Sequence, residues 1–475
     1  MKSHRRRMRE YELAYDFATH AAGRDAEILS AQAEGETGVV LATRVSGEHA
    51  LPVTGRLAVL PVERLRRHVL VCGATGSGKT ETLLRLAWTL AKRSDAPVLY
   101  LDGKGDRENA ERFVGLMQDA GRRTRVFPHE PFAGWRGEPH EIRGRLMEIV
   151  DYAHHGPAAW YRDVAKAVVG LACEHPSGPP RSSEELLARL SLEALRRAHG
   201  EARALQGLRS SQVDQVRLRY EAVFGETRGA LDGKWAWEDT DAAYVLLDSL
   251  KLREETAGLA RFLFEDFAQY FTGRKPQGRF CLMIVDEFSA LASTPGMAAR
   301  IEQARRFNTA LILAPQVVAG MGGAEETARI LGSVETIVCH RMNTPEEIVP
   351  LAGTRQMTEY NTRFSRQGST GEGTAMRREQ QKIDPNKVLG LPPGEAFVIS
   401  RGMAMHAQIL SAPAASAPLP EPPSAQPAQT AHPTTAAPEG AESPQPTSPP
   451  WTNREGRPED RNPTQNTGWD PSAIS

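Results

Sequence analysis

The chain has 475 residues, more than one ordinary domain needs, and this leaves room for a large core. Its 58 basic and 59 acidic side chains cancel to a net charge of -1, which excludes an overall polycation or polyanion, so any nucleic-acid or membrane site has to be local. Four cysteines, Cys72, Cys173, Cys281 and Cys339, are scattered with no CxxC pair, which excludes a disulfide framework and a cysteine zinc site.

The first ten residues, MKSHRRRMRE, are basic, but the next ten, YELAYDFATH, are no apolar signal core. No stretch of about 18 apolar residues follows, so neither a secretion signal nor a membrane span is expected, and the chain reads as cytoplasmic. Arg5, Arg6 and Arg7 could touch DNA or anionic lipid, or form a solvated basic end. Residues 1–35 are set apart as this basic segment. TGVVLATRV (37–45) and GRLAVLPV (55–62) alternate as strands do and lead into HVLVCG. A glycine turn follows, then a helical pattern in ETLLRLAWTLAKRSD, then a buried strand in PVLYLDGKGD. Strand, turn, helix, strand opens a parallel α/β sheet, whose first part spans 36–129.

From 130 to 241 the texture is helical, with SSEELLARLSLEALRRAHGEARAL capped at Ser182 or Ser183. Strand texture returns in AAYVLLDSL (242–250), RFCLMIVDEF (279–288), TALILAPQ (309–316) and ETIVCHR (335–341), so 242–411 reads as the second part of the same sheet. From Ala412 the sequence holds 15 of the 33 prolines, with seven acidic and three basic residues, and 412–475 is expected to be disordered. Removing its -4 from the -1 of the whole leaves the remainder at about +3.

Gly73, Ala74, Thr75, Gly76, Ser77, Gly78, Lys79 and Thr80 match G-x-x-x-x-G-K-[ST] between a strand and a helix, as the phosphate-loop (Walker A) motif requires. The glycines let backbone N–H groups face phosphate oxygens, Lys79 would reach the β- and γ-phosphates, and Thr80 would sit on Mg²⁺; Thr82 is grouped with the nucleotide contacts. In CLMIVDEF, Asp286 would help hold Mg²⁺ and Glu287 would be the general base, a Walker B arrangement. Gln316 ends LILAPQ and could sense the γ-phosphate or orient the water, and Asp102 and Lys104 in LDGKGD belong to the same sheet edge. Arg305, Arg306, Arg329 and Arg341 are candidates for an arginine finger supplied between subunits. The pairs His154–His155 and Cys339–His340 have diverging side chains and make no metal site.

Lys79 and Asp286 lie 207 residues apart, and the helical insertion accounts for the excess. That architecture, with GATGSGKT, LYLDGKGD, IVDEFSALA, LILAPQ and LPPGEAFVISRG, resembles the ATPase of type IV secretion coupling proteins, the TraD/TraG-type conjugation motors of the FtsK/HerA superfamily, over about residues 50–405. The resemblance implies a RecA-like parallel sheet with an inserted all-α domain at 130–241, ATP and Mg²⁺ as cofactors, and a hexameric ring with DNA in its pore. It implies a relaxase or nucleoprotein substrate. The family's own membrane helices find no counterpart here: either a separate membrane-anchoring secretion component is a partner and holds the chain at the inner face of the membrane, or the chain works as a soluble pump. Asp102–Gly105 falls on the family's Asp-x-Lys-Gly loop. Arg363, Arg366, Arg377 and Arg378 could track a DNA strand, or belong to a solvated loop. A protein-exporting ring ATPase and an ATP-dependent switch without translocation are the alternative readings.

Overall fold

The computed structural model describes residues 38–421 except 55–56, 154–155, 157, 201, 248–252, 289–290, 292–295 and 366–367. The basic segment with Arg5–Arg7, the pair His154–His155 and the sequence from 422 onward lie outside the described residues.

The strands that carry the motifs are short aliphatic runs buried on both faces, as parallel strands covered by helices must be. They are β4 (Val69–Cys72), β5 (Val98–Asp102), β7 (Ala242–Leu246), β8 (Cys281–Asp286), β9 (Thr309–Ala314) and β10 (Thr336–Cys339). With the edge strand β6 (Thr124–Phe127) they run parallel in the order β10-β4-β9-β8-β5-β7-β6. The sheet does not stop there. β1 (Gly38–Gly47), β2 (Val53–Thr54), β3 (Leu57–Pro61), β13 (Glu395–Ser400) and β14 (Met403–Ile409) add an antiparallel flank, so the sheet is mixed rather than parallel throughout. The flank turns at Arg401 (φ 52) and Gly402 (φ 71), two left-handed residues between the paired Ser400 and Met403, the geometry that brings a strand straight back beside its neighbour.

Alternation sorts the strand side chains between two faces. Val69, Val71, Val98 and Tyr100 face helices α1 (Lys79–Arg93) and α2 (Arg107–Asp119). Leu70, Leu99, Leu101 and Val285 share one apolar cluster with the helical insertion. That insertion comprises α3 (Pro139–Ile149), α4 (Ala159–Cys173), α5 (Ser183–Arg189), α6 (Leu192–His199) and α7 (Ser210–Thr227). Ser182 caps α5 by accepting the Glu185 N–H at 3.1 Å, and Ser191 caps α6 by accepting the Ala194 N–H at 3.1 Å, so the long serine-led pattern is two helices. α8 (Arg253–Gln269), which follows β7 and belonged on sequence grounds to the second part of the sheet, packs on α3 and completes the helical layer.

Two segments depart from their sequence readings. TRFSRQGSTGEGTAMRREQ is a ribbon, β11 (Thr354–Ser365) paired with β12 (Gly368–Gln381), on which Arg377 and Arg378 are exposed. Arg366 and the Arg363 side chain lie outside the description. Residues 412–421, expected to open a disordered tail, lie along α2, with Ala412, Ala417 and Leu419 buried. The Ala417 N–H donates to the Glu111 carbonyl at 3.0 Å, and the strap passes so close to Gly115 that a Cβ there would stand 2.5 Å from Ser416 N.

His68 locks the start of β4. It sits at φ 64, buried, its Nδ1 accepting the Leu311 N–H at 3.1 Å and its Nε2–H donating at 2.9 Å to the Ile301 carbonyl in α9 (Met297–Ala304). Burial pushes its pKa down to about 4, below the ordinary 6.5. The fold therefore holds the neutral ring: its contribution is fully present above about pH 6.5 and is lost as pH falls towards 4, about 3 kcal/mol in all. Denaturant unfolding at pH 7 and pH 4.5 is expected to show a smaller acid loss in His68→Asn than in wild type, and equal losses would contradict this account.

Candidate nucleotide site

β4 ends at Cys72, and the chain must turn at once beneath buried structure. At Gly73 (φ 152) a Cβ would stand 2.7 Å from both Ser77 Oγ and His340 Cβ, and at Gly78 (φ 109) one would stand 3.0 Å from Gly394 N, so both positions require glycine. The turn closes around the buried Lys79, whose ammonium donates to the carbonyls of Gly73 and Ala74 at 2.5 and 3.3 Å. Burial lowers its pKa, Lys104 nearby lowers it further, and Asp286 and Glu287 oppose both. Gly78 begins α1, so the first-turn N–H groups have no partners within the helix and carry its positive end. Ser77 Oγ is buried in the same turn with no hydrogen-bond partner. A row of donors round an anchored ammonium is what a polyphosphate requires.

β9 lies between β4 and β8, which puts the ends of three neighbouring strands at one edge. Asp286, at the end of β8, is buried; the Tyr100 hydroxyl donates to its Oδ2 at 3.1 Å and Lys104 Nζ lies 3.6 Å from its Oδ1. The next residue, Glu287, adopts φ 64, a left-handed conformation that costs a glutamate about 1–3 kcal/mol and is held by its surroundings. Its N–H donates to the Ala314 carbonyl at 3.1 Å, and Gln316 Nε2 donates to its Oε2 at 2.7 Å. Asp102 stands beside Asp286 in register. Burial raises the Asp102 pKa to about 6 against the bonds it accepts from Tyr244 and from the N–H groups of Lys104 and Asp106.

The family model for the central domain of the helicase HerA matches residues 54–175. Over 114 residues the chain is 38% identical to the type 4 coupling protein DotL of Legionella pneumophila; this stretch is 24% of the chain and spans 14% of DotL. The chain carries a phosphate-loop domain similar to that of type IV coupling proteins. In fold it is similar to the plasmid coupling protein TrwB in complex with ADP and Mg²⁺, with 16% identity, a TM-score of 0.57, and coverage of 82% of this chain and 98% of that one. It is also similar to VirB4 of Thermoanaerobacter pseudethanolicus, with 14% identity, a TM-score of 0.52, and coverage of 80% and 98%.

The fold braces the phosphate loop with residues whose part in this site no motif announced. The Arg341 carbonyl accepts the Ala74 N–H at 2.7 Å and the Gly394 N–H donates to the Ser77 carbonyl at 3.0 Å, so LPPGEAF runs directly against the loop. His340 is buried between them; its Nδ1–H donates to the Glu395 carbonyl at 3.0 Å and its Nε2 accepts the Thr82 hydroxyl at 2.8 Å. Burial pushes its pKa down to about 4, which keeps the ring neutral and the bond directions single-valued. The Thr82 hydroxyl thus points inward and supports the loop, because the fourth residue of the helix faces the core.

Among the described residues no group of three or more His, Cys, Asp or Glu side chains could hold a metal. The residues that could hold Mg²⁺ are Asp286 and Thr80, a set that suits an ion which keeps several waters and takes its remaining ligands from substrate phosphates. Of the finger candidates, Arg329 is engaged by Glu302 within the same chain at 3.1 and 3.0 Å, and Arg305 and Arg306 sit on an exposed turn. Arg341 meets the loop through its carbonyl.

Proposed function

We propose that this ATPase is a ring-forming motor that hydrolyses ATP to move DNA, acting as the coupling protein of a conjugation or type IV secretion-like system. The observation that carries hydrolysis is the contact of Gln316 with Glu287 at the edge shared by Asp286 and the phosphate loop. Gly73–Thr80 would hold the phosphates, and Thr80 and Asp286 the Mg²⁺, which when bound neutralises charge developing on the phosphoryl oxygens. Glu287 would take the proton of the attacking water, with Gln316 fixing the orientation of its carboxylate. Nothing in that set supplies a planar cation to the transferred group, which is why a neighbouring subunit, and so a ring, belongs to the proposal.

DNA as the cargo is supported by the likeness to TrwB, whose structures are described as those of a conjugative coupling protein, and by the exposed Arg377 and Arg378 on the β11–β12 ribbon. A membrane-anchoring partner and a relaxase or nucleoprotein substrate are part of the same proposal; no helix among the described residues is long and apolar enough to cross a membrane. ATP turnover measured alone, with single-stranded DNA and with double-stranded DNA is expected to rise with one of the two. Turnover indifferent to both would overturn DNA movement and favour export of protein.

A further inference from the structure

The loop after β5 is held more firmly than a surface turn needs. Asp102 accepts the N–H of Lys104 on Oδ1 at 2.8 Å and the N–H of Asp106 on Oδ2 at 2.9 Å, and the Tyr244 hydroxyl donates to that second oxygen at 2.7 Å. The Tyr244 ring stacks on Tyr100 at 4.8 Å, and Tyr100 donates to Asp286, so the two carboxylates are held by one pair of tyrosines. The Gly103 N–H donates to the Asp286 carbonyl at 3.2 Å, and a Cβ on Gly103 would stand 3.0 Å from Glu287 Cβ. Gly105 adopts φ 72 to let the chain leave.

What this clamp delivers is one ammonium. Lys104 Nζ is 3.6 Å from Asp286 Oδ1, with its side chain 32% exposed against 2% for Asp286. A unit positive charge that close to a buried carboxylate is attracted strongly, and it repels a divalent cation at the same oxygen. The stem has enough free surface to turn towards the phosphate loop, where it already lies near enough to act on Lys79.

We infer that Lys104 is a second cation of the nucleotide site: it pairs with Asp286 until Mg²⁺ takes that carboxylate and then turns to the phosphate oxygens, with Asp102 as the residue that positions it. The inference rests on Asp286 as the metal carboxylate. The test uses the full chain. Mn²⁺ binding without nucleotide, followed by the paramagnetic resonance of free Mn²⁺, is expected to tighten about threefold or more in Lys104→Met, because a competing cation is gone. The same variant is expected to lose about tenfold or more in kcat for ATP with KM changed less than about twofold, and Lys104→Arg to recover most of the loss. Asp102→Asn is expected to lower kcat in wild type and to cost nothing further in the Lys104→Met background, where a merely structural residue would still cost its full amount. Unchanged or weaker Mn²⁺ binding in Lys104→Met, or an unchanged kcat, overturns the inference. Should Asp286→Asn leave both Mn²⁺ binding and turnover as in wild type, the metal assignment itself has failed and the role of Lys104 with it.

Discussion

Glu287→Gln is expected to lower ATP turnover by about 10²–10⁴-fold while leaving nucleotide affinity within a few-fold of wild type. The substitution keeps the shape of the side chain and its contact with Gln316, and removes only the ability to take a proton. The phosphate loop is built from other residues, Gly73–Thr80 braced by His340 and Gly394, so binding should survive. Lys79→Ala should behave differently. The Lys79 ammonium is what the Gly73 and Ala74 carbonyls close upon, so its removal should weaken nucleotide binding as well as turnover. Steady-state turnover beside equilibrium binding of a fluorescent ATP analogue separates the two variants. A Glu287→Gln protein that turns over within tenfold of wild type would remove Glu287 as the base.

Asp266→Ala is expected to destabilise the helical layer by about 3–5 kcal/mol. Arg145 on α3 and Asp266 on α8 form an ion pair in which both side chains are fully buried, at 2.6 Å. The same Arg145 Nη1 donates to Gln269 at 2.6 Å and Nη2 to the Arg136 carbonyl. Beyond α8 the chain widens into a π-turn at Tyr270–Arg274, and this brings Arg274 back onto Asp266, with Nη2 donating to both its carboxylate and its carbonyl at 2.8 Å. Asp266 thus lies between two guanidinium groups, of which Arg274 also pairs with Glu238 at 3.3 Å, and deleting it leaves the buried Arg145 without its carboxylate. Urea unfolding of wild type and variant measures the difference. A loss under about 1 kcal/mol would mean that water or a neighbouring carboxylate takes over the role.

The signals that survived into three dimensions are those carried by consecutive residues. The glycine pattern of 73–80, the aliphatic runs that end at Asp102, Asp286 and Gln316, and the serine cap at 182 each depend on local backbone geometry and on burial of one strand or one turn. That these strands belong to a parallel sheet follows from the same runs, because strands this apolar must be covered by helices on both faces.

What could not be read there depends on which distant segment comes alongside. The antiparallel flank follows from a two-residue turn at Arg401–Gly402, which carries no Asn-Gly or Asp-Gly signal. The stretch 363–378 read as a loop because its polar sequence has no apolar alternation to mark a strand. Nothing local announces that the Thr82 hydroxyl is accepted by His340, 258 residues later. Ala412–Glu421 read as disordered by composition, yet a glycine on α2 lets its backbone come close enough to bury three side chains.

By itself, then, the sequence determined a phosphate loop, a carboxylate pair at a strand end and a helical insertion, because each is written in contiguous residues of fixed type and spacing. Only the tertiary structure decided how that chemistry is held: Gln316 on Glu287, His340 and Gly394 beneath the loop, and Lys104 aimed at Asp286 by Asp102. Those are contacts between residues far apart in the chain, and their partners are chosen by sheet order and packing, which no local pattern encodes.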